Sequence, residues 1–151
     1  MWYYKGEEIT SIEDFPPQTF GFVYRVIHEP TGKIYIGKKV LQFTRKAKLT
    51  KKDLAIYEGE KGRKPTYKQV TSESDWKTYY GSAQEVKDLL KTQPKDRIVR
   101  SVLLLCKNKK ELTYFECKYL FQYGVVEPGN NYINDNILGK FYSKDLLDTN
   151  N

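Results

Sequence analysis

Two short β-rich runs near the start of the chain place the strongest constraint on its fold. Residues 21–27 read Gly-Phe-Val-Tyr-Arg-Val-Ile, and residues 33–37 read Lys-Ile-Tyr-Ile-Gly. Between them, residues 29–32 read Glu-Pro-Thr-Gly, where proline fixes φ at the second turn position and glycine tolerates a positive φ. The pattern predicts a β-hairpin that sets Tyr24 and Tyr35 on neighbouring strands.

A further strand and two helices are predicted in the second half of the chain. Residues 98–106 form the most apolar run and predict a buried central strand. The capping-box pattern of Ser82 and Glu85 predicts the start of one helix. Asn108 predicts the N-cap of a second helix, which we expect to end at Gly124 because glycine accepts the left-handed conformation at a helix C-terminus.

These elements predict an α/β sandwich. Its small three-stranded central sheet would consist of the N-terminal hairpin and the strand near 98–106, flanked by helices. The 151 residues suit one domain, which we place at residues 21–142. Residues 1–20 are expected to be an arm that packs its aromatic side chains on that domain, and residues 143–151 a C-terminal tail.

Basic charge is concentrated in residues 38–68. The chain has a net charge of +7, whereas this stretch alone holds eleven basic and three acidic residues, a balance of +8. Such a charge favours polyanionic partners through long-range attraction and counterion release, although a solvated lysine-rich loop has the same composition. We interpret the stretch as a basic insertion, with two nearby aromatic residues as base-stacking surfaces. The expected nucleic-acid contacts are Lys38, Lys39, Lys46, Lys48, Lys51, Lys52, Arg63, Lys64, Trp76 and Tyr80.

The cysteines and the apolar runs argue against two other classes of protein. Neither Cys106 nor Cys117 has a second cysteine or a histidine at metal-ligand spacing, so both predict buried free thiols in a reducing cytoplasm rather than a zinc site. No stretch approaches the ~20 apolar residues of a membrane span. We therefore expect a cytoplasmic protein with no membrane partner.

Glu116 is the most informative charged residue of the second predicted helix. At about 100° per residue, it falls within the apolar face that Leu112, Phe115 and Leu120 form. A carboxylate among core positions is costly unless it is paired or binds a cation. One interpretation is a glutamate at the helix edge, exposed or paired with a buried arginine. The other is a ligand for Mg²⁺, which prefers carboxylate oxygens, waters and substrate phosphate.

Two tyrosines and one arginine could complete a site that cleaves phosphodiesters. The hydroxyls of Tyr24 and Tyr35 can orient a water or contact a phosphate, although tyrosines in hairpins usually serve packing. Arg45 offers a planar, permanently charged donor for negative charge that develops on phosphate. Gly37 permits a backbone or a phosphate to come close at the end of its strand.

The order and spacing of these residues resemble those of the GIY-YIG nuclease family. Gly-Phe-Val-Tyr at 21–24 is similar to the first motif in degenerate form, and Tyr-Ile-Gly at 35–37 matches the second. Arg45 follows Gly37 by eight residues, as the family's arginine does, and Glu116 matches its helical glutamate. Stretches such as 76–82 and 134–141 are similar to phage-encoded members, so the resemblance covers about residues 20–142.

The family's late asparagine and its histidine match less directly. Asn134, which follows Tyr132, fits the asparagine best, while Asn131 and Asn136 remain alternatives. Family members often carry a histidine between the arginine and the glutamate, but the single histidine here is His28. We expect it to be a surface turn residue. A tyrosine or a lysine would then accept the proton.

The resemblance implies a GIY-YIG-like α/β sandwich and a metal-dependent DNA endonuclease. Glu116 would hold a single Mg²⁺ or Mn²⁺ ion. Tyr35 or Tyr24 would orient or deprotonate the attacking water, with Lys39 or Tyr80 as aids. Arg45 would stabilise the pentavalent phosphate, and Asn134 would hold the site together or contact the substrate.

The resemblance also implies the partner and leaves the biological role open. We expect double-stranded DNA as the substrate, in the bacterial host cytoplasm if the chain is phage-encoded, for a homing-type or DNA-processing nuclease. Sequence specificity would come from the insertion, from a dimer or from a partner protein. Two alternatives are a catalytically inactive nucleic-acid-binding module on the same fold and a phage interaction protein.

Overall fold

The computed structural model describes residues 1–59, 62 and 65–146 of the chain. The strands are β1 (Trp2–Tyr4), β2 (Glu7–Ile9), β3 (Gly21–His28), β4 (Lys33–Val40), β5 (Gln42–Lys48), β6 (Tyr67–Glu73), β7 (Ile98–Cys106), β8 (Asn136–Ile137) and β9 (Phe141–Tyr142). The α-helices are α1 (Lys51–Ala55), α2 (Gln84–Thr92) and α3 (Lys109–Gln122). Short 3₁₀ turns lie at Ile12–Asp14, Lys95–Arg97 and Ser143–Asp145.

These elements form two compact units. The first contains residues 1–41 and the described residues from 75 onward, and the second contains residues 42–74. Across the described part of the chain, none of the helices combines the length and apolar composition needed to cross a membrane. Cys106 is buried in β7 and Cys117 is half-buried in α3, both as free thiols.

The central sheet of the first unit has five strands in the order β2-β1-β7-β3-β4. The three predicted strands, β7, β3 and β4, are adjacent and antiparallel, as expected. The predicted number of strands was wrong because β1 joins β7 in parallel and β2 then pairs with β1. The N-terminal arm is therefore part of the sheet. Trp2 anchors it, with 1% of its surface exposed and its indole N–H donating to the Trp76 carbonyl at 2.7 Å.

Each face of the sheet carries its own core. On one face, Phe22 and Tyr24 of β3 pack with the aromatic rings of Trp2, Phe15 and Trp76. Since side chains alternate along a strand, the neighbouring residues of the hairpin face the other way. The core on this other face joins Val23 of β3 and Ile36 of β4 to Leu112 and Leu120 of α3. The sheet is thus covered on both sides, as the predicted sandwich requires.

The two predicted helices form, but only one has the predicted cap. The Asn108 side chain accepts a hydrogen bond from the Glu111 N–H at 2.8 Å, and Gly124 follows α3 with a φ of 57°. The N-cap of α2 is Ala83, without a side-chain hydrogen bond, so the capping box predicted for Ser82 is absent. The two side chains of the predicted capping box have other partners. The Ser82 hydroxyl forms a hydrogen bond with the Tyr35 hydroxyl, and the Glu85 carboxylate accepts one from the Lys33 ammonium at 2.6 Å.

Residues near the end of the chain cover part of the outer edge of β4, the last strand of the sheet order. The Ile34 N–H donates to the Asn131 carbonyl at 3.0 Å, and the Ile133 N–H donates to the Ile34 carbonyl at 2.7 Å. Ile34 and Tyr132 form a parallel bridge. The backbone of β4 is therefore held from both sides, by β3 and by residues 131–133.

The second unit is an antiparallel ribbon of β5 and β6 with α1 between the strands in sequence. The Thr50 side chain accepts from the Asp53 N–H and Asp53 accepts from the Thr50 N–H, which caps α1. Lys68 of β6 donates to Asp53 at 2.6 Å. This bond, with those from Thr50, lowers the pKa of the Asp53 carboxyl to about 2. The stretch 38–68, interpreted from the sequence as a basic insertion with no strand assigned to it, thus contains β5 and the start of β6.

Candidate active site at the edge of β4

A polar cavity of about 470 Å³ opens at the edge of β4. It is lined by residues from β4, from α3 and from the segments before α2 and β8. Four of the predicted site residues are among them: Tyr35, Lys38, Glu116 and Asn134. The structure therefore brings together, in one cavity, residues that lie up to 99 positions apart in the sequence.

Glu116 occupies the sheet-facing line of α3. Leu112, Glu116 and Leu120 follow one another at four-residue intervals, and both leucines are buried. The Glu116 side chain is 18% exposed, and its Oε1 lies 3.9 Å from the Lys38 Nζ. Burial raises the pKa of the Glu116 carboxyl above its ordinary value, while the charge and the backbone N–H of Lys38 act in the opposite direction. The helix thus directs a partly desolvated carboxylate toward the cavity.

A divalent cation suits this carboxylate chemically. A nearby positive charge favours the ionised form that burial disfavours, and hard cations take oxygen ligands. Within the described residues, no cluster of three or more His, Cys, Asp or Glu side chains could hold a metal ion. A Mg²⁺ ion keeps several waters and needs as few as one or two protein carboxylates besides substrate phosphate. Glu116 in an open polar cavity meets that requirement.

The two tyrosines share one face of the hairpin, with ring centroids 6.2 Å apart. Tyr35 lines the cavity and its hydroxyl lies 3.1 Å from the Ser82 Oγ. Tyr24 lies in the core with 1% of its surface exposed. Burial raises the pKa of both phenols, that of Tyr24 well above its ordinary value. At neutral pH both hydroxyls therefore keep their protons.

Gly37 makes room for the Tyr24 phenol. The two residues are direct partners in the β3–β4 register. A Cβ atom at Gly37 would lie 2.5 Å from the Tyr24 hydroxyl oxygen and 3.0 Å from Cε1 of Tyr35. We had expected a phosphate or a backbone to approach this glycine. What comes close in the structure is a buried aromatic ring, which has little freedom to move away.

Asn134 and its alternative Asn136 both line the cavity, and the Asn134 side chain bonds the backbone of β4. Its amide donates to the Ile36 carbonyl at 2.8 Å and accepts from the Ile36 N–H at 3.0 Å. The side chain of Asn136, an alternative from the sequence, donates instead to Asp135 at 2.7 Å. Asn131 contacts β4 through its main-chain carbonyl. Of the two roles expected for Asn134, its hydrogen bonds fit that of holding the strand.

Comparison with family models decides the family. Residues 2–137 match a family model described as "Putative endonuclease segE, GIY-YIG domain". The chain belongs to the GIY-YIG family. The match confirms the resemblance to phage-type members and begins at residue 2, so it includes β1 and β2 of the sheet. Searches of curated proteins and of solved structures found no match.

Two residues of this GIY-YIG chain that we expected to stack on bases have packing partners within the protein. Trp76 is fully buried, at 0% exposure, and was wrongly predicted as a stacking surface. Its ring packs edge-on against Phe15 in the core. Tyr80 is half-buried, and the Arg100 guanidinium lies over its ring at 4.0 Å from the centroid. That contact occupies one face of the ring, and base stacking by Tyr80 stays a prediction.

We had predicted that His28 is a surface turn residue, and this prediction was wrong. It is the last residue of β3, paired with Lys33, and only 2% of its surface is exposed. Its Nδ1 lies 2.7 Å from the Thr31 hydroxyl, whereas its Nε2 is buried and has no hydrogen-bond partner in the described part of the chain. The turn therefore folds over the imidazole, which serves the hairpin rather than the cavity.

The predicted cations divide between the two units. Lys39 of the first unit donates to Asp75 at 2.5 Å and lies over the Tyr79 ring at 3.9 Å, so it has a structural role. Arg45 lies on β5 of the second unit, and the structure therefore does not place it in the same unit as Glu116. The exposed predicted cations of that unit are Arg45, Lys46, Lys48, Lys51 and Lys52. Arg63 and Lys64 lie outside the described residues.

The roles of Ser82 and Arg100 at the site were not identified from the sequence. Arg100 is 3% exposed, and its guanidinium donates to the carbonyls of Lys77 and Tyr79 at 3.0 and 2.8 Å. It thereby fixes the segment that leads to Ser82, the partner of Tyr35. The available signal was a single charge inside the apolar run 98–106, which we did not use. The apparent capping box obscured the role of Ser82.

Proposed function

We propose that this chain is a metal-dependent endonuclease that hydrolyses phosphodiester bonds of double-stranded DNA at the edge of β4. The observation that carries the proposal is the cavity in which the partly desolvated Glu116, Lys38 and the Tyr35 hydroxyl meet. Membership of the GIY-YIG family, through a model of an endonuclease domain, supports the same reaction.

In this proposal, Glu116 holds a single Mg²⁺ or Mn²⁺ ion. The ion supplies positive charge to the phosphate oxygens and lowers the pKa of a bound water. The Tyr35 hydroxyl, protonated at neutral pH, orients the attacking water by donating or accepting a hydrogen bond. Because burial raises the pKa of both phenols, this role suits Tyr35 better than that of a base. Tyr24 supports Tyr35 from the core.

Two cations are candidates for stabilising the phosphate in the transition state. Lys38 lines the cavity and lies 3.9 Å from the Glu116 carboxylate. Arg45 is supported by its spacing from the second motif. Asn134 keeps β4, and with it Tyr35 and Lys38, in position through its two bonds to Ile36. We further propose a phage role in homing or DNA processing, which rests on the kind of family that the chain matches.

One observation favours a second candidate function. The Lys38 ammonium near Glu116 can balance the carboxylate without a metal ion, and no three-ligand cluster occurs among the described residues. A protein with this pairing could bind nucleic acid without cleaving it. The two functions differ in one measurable property, which is the cutting of DNA.

Plasmid cleavage tests the proposal. The wild-type chain should nick or linearise supercoiled plasmid with Mg²⁺ and leave it intact with EDTA. Glu116→Gln should lower the rate on the order of 100-fold or more, because it removes the charge that holds the cation. Glu111→Gln, on the same helix but away from the cavity lining, is the matched control and should keep the wild-type rate. Intact plasmid with bound wild-type protein would favour the binding module.

A further inference from the structure

The ribbon of the second unit has two different faces. In the β5–β6 register Thr44, Lys46 and Lys48 lie opposite Thr71, Gln69 and Tyr67. Since paired residues of an antiparallel ribbon point to the same side, these six form one face, here named the Lys46 face. All six are exposed. The face ends at the base of the ribbon with the pair of Gln42 and Glu73.

The opposite face is covered in part within the same unit, while its residues Phe43, Arg45 and Ser72 are exposed. Ala47, Lys68 and Val70 point to that side and are half-buried. Lys68 donates to Asp53, the residue that caps α1, at 2.6 Å. The helix therefore lies on the Lys68 side, which leaves the Lys46 face as the more open side of the ribbon.

The Lys46 face carries the side chains that read base edges in DNA. Its six residues include two lysines, one glutamine and two threonines, and none is acidic. Glutamine pairs with adenine in the major groove, lysine bonds guanine or phosphate, and threonine bonds either kind of base and contacts the thymine methyl. A purely phosphate-binding surface would need the lysines alone.

The dimensions of the ribbon also fit this partner. The major groove of B-DNA is about 12 Å wide and admits a two-stranded ribbon. From Thr44 to Lys48 the strand extends about 14 Å, at ~3.4 Å per residue. Since the base pairs of the duplex are also ~3.4 Å apart, the face spans about four of them.

We propose that the Lys46 face enters the major groove of duplex DNA and gives the protein a preference for a short sequence of about four base pairs. Gln69, at the centre of the face, contacts a base edge, and Thr44 and Thr71 contact the next one. Lys46 and Lys48 contact guanine or the flanking phosphates. The inference rests on the proposed function in taking DNA as the substrate, and it goes beyond it in naming the element that selects the site.

The test is selection of bound duplexes from a pool with a randomised central segment, carried out in EDTA so that no cleavage occurs. The wild-type chain should enrich a short motif. Gln69→Ala should reduce discrimination at one or two positions of that motif about 5- to 100-fold, while the affinity for unrelated duplex stays within about twofold. Ser72→Ala, on the opposite face of β6, is the matched control and should leave the motif unchanged.

Salt titration distinguishes the role of the two lysines from that of Gln69, Thr44 and Thr71, which are proposed to contact base edges. Lys46→Ala and Lys48→Ala should each weaken binding to all duplexes and reduce the slope of log affinity against log salt by about one. Lys87→Ala, exposed on α2, should change neither. Methylation of guanine N7, which lies in the major groove, should block binding to the motif.

The outcomes separate the inference from the proposed function. The inference would be overturned, even if plasmid is cut, by either of two results. One is that no motif is enriched. The other is that Gln69→Ala, Thr44→Ala and Thr71→Ala all leave the enriched motif unchanged. An enriched motif that depends on Gln69, with plasmid left intact, would support the inference about the Lys46 face and contradict the proposed nuclease activity. No binding to any duplex would overturn both.

Discussion

Two cations of the first unit, Arg100 and Lys39, have surroundings different from those of Lys46 and Lys48 in the second unit. In the first, Arg100 is held by two carbonyls and two aromatic rings, and Lys39 by a carboxylate and the Tyr79 ring. In the second, Lys46 and Lys48 are exposed along the ribbon. The same residue types therefore serve the fold in one unit and are open to a polyanion in the other. A count of basic residues cannot tell these two uses apart.

The largest effect that would test this difference is expected at Arg100. Arg100→Ala removes the donor of two part-buried hydrogen bonds to carbonyls, and a side chain that packs on Trp2 and Tyr80. Each unsatisfied buried group costs ~1–3 kcal/mol, so we expect a loss of about 3 kcal/mol or more in the free energy of unfolding. Arg97→Ala, an exposed neighbour, should change it by less than about 0.5 kcal/mol. Urea denaturation measures both, and equal effects would break the comparison.

A smaller effect is expected at Lys39, compared with Lys46. Lys39→Ala removes an ion pair at 2.5 Å and a cation–π contact from a side chain that is 12% exposed. We expect a loss of about 1 kcal/mol in stability, because the cation–π contact of a desolvated amine is worth more than a surface pair. Lys46→Ala should leave stability unchanged and weaken DNA binding. Melting curves and binding titrations together should show opposite rankings for the two variants.

Lys38 stands between the two groups, since it is near Glu116 but 39% exposed. Burial raises the pKa of Glu116 in the folded state above its ordinary value in the unfolded chain. Between these two pKa values, the Glu116 carboxyl is protonated more in the folded protein than in the unfolded one. The contribution of Glu116 to stability should therefore fall with rising pH through that window. Glu116→Gln should lack this fall, and Lys38→Met should enlarge it.

Denaturation curves from about pH 4 to about pH 7 measure this slope. The same curves test the cation. Mg²⁺ should raise the melting temperature of the wild-type chain and not that of Glu116→Gln, because a ligand stabilises only the state that binds it. Parallel slopes in wild type and Glu116→Gln would mean that the carboxylate is not desolvated in solution.

The smallest effect is expected for the exposed ion pair of Lys33 and Glu85. Its two charged groups lie 2.6 Å apart, but both side chains are almost half exposed. Surface pairs of this kind contribute about 0–1 kcal/mol, so Lys33→Ala should change stability by less than about 0.5 kcal/mol. A larger loss would show that a partner alone, without burial, is enough to make a cation structural.

The features that were predicted correctly depend on local pattern. The hairpin followed from its turn, and the place of Glu116 on a buried helix face followed from helical periodicity. The features that were missed depend on distant contacts. Trp76 is buried in a core that also contains Trp2, 74 residues away, whose indole donates to the Trp76 carbonyl. His28 is covered by its own turn, which neither composition nor spacing indicates. The β5–β6 ribbon has weak alternation in sequence because neither face is fully buried.

The bonds between Asn134 and Ile36 span 98 residues. A contact of this kind forms late, since the entropy of closing a long loop must be overcome first. On the ribosome, the β3–β4 hairpin emerges long before its partner, so for most of synthesis β4 has an open edge that can pair with another chain. Closure by residues 131–134 both completes the cavity and removes that aggregation risk. A nascent chain of this protein is thus expected to acquire its site only when its last segment has folded back.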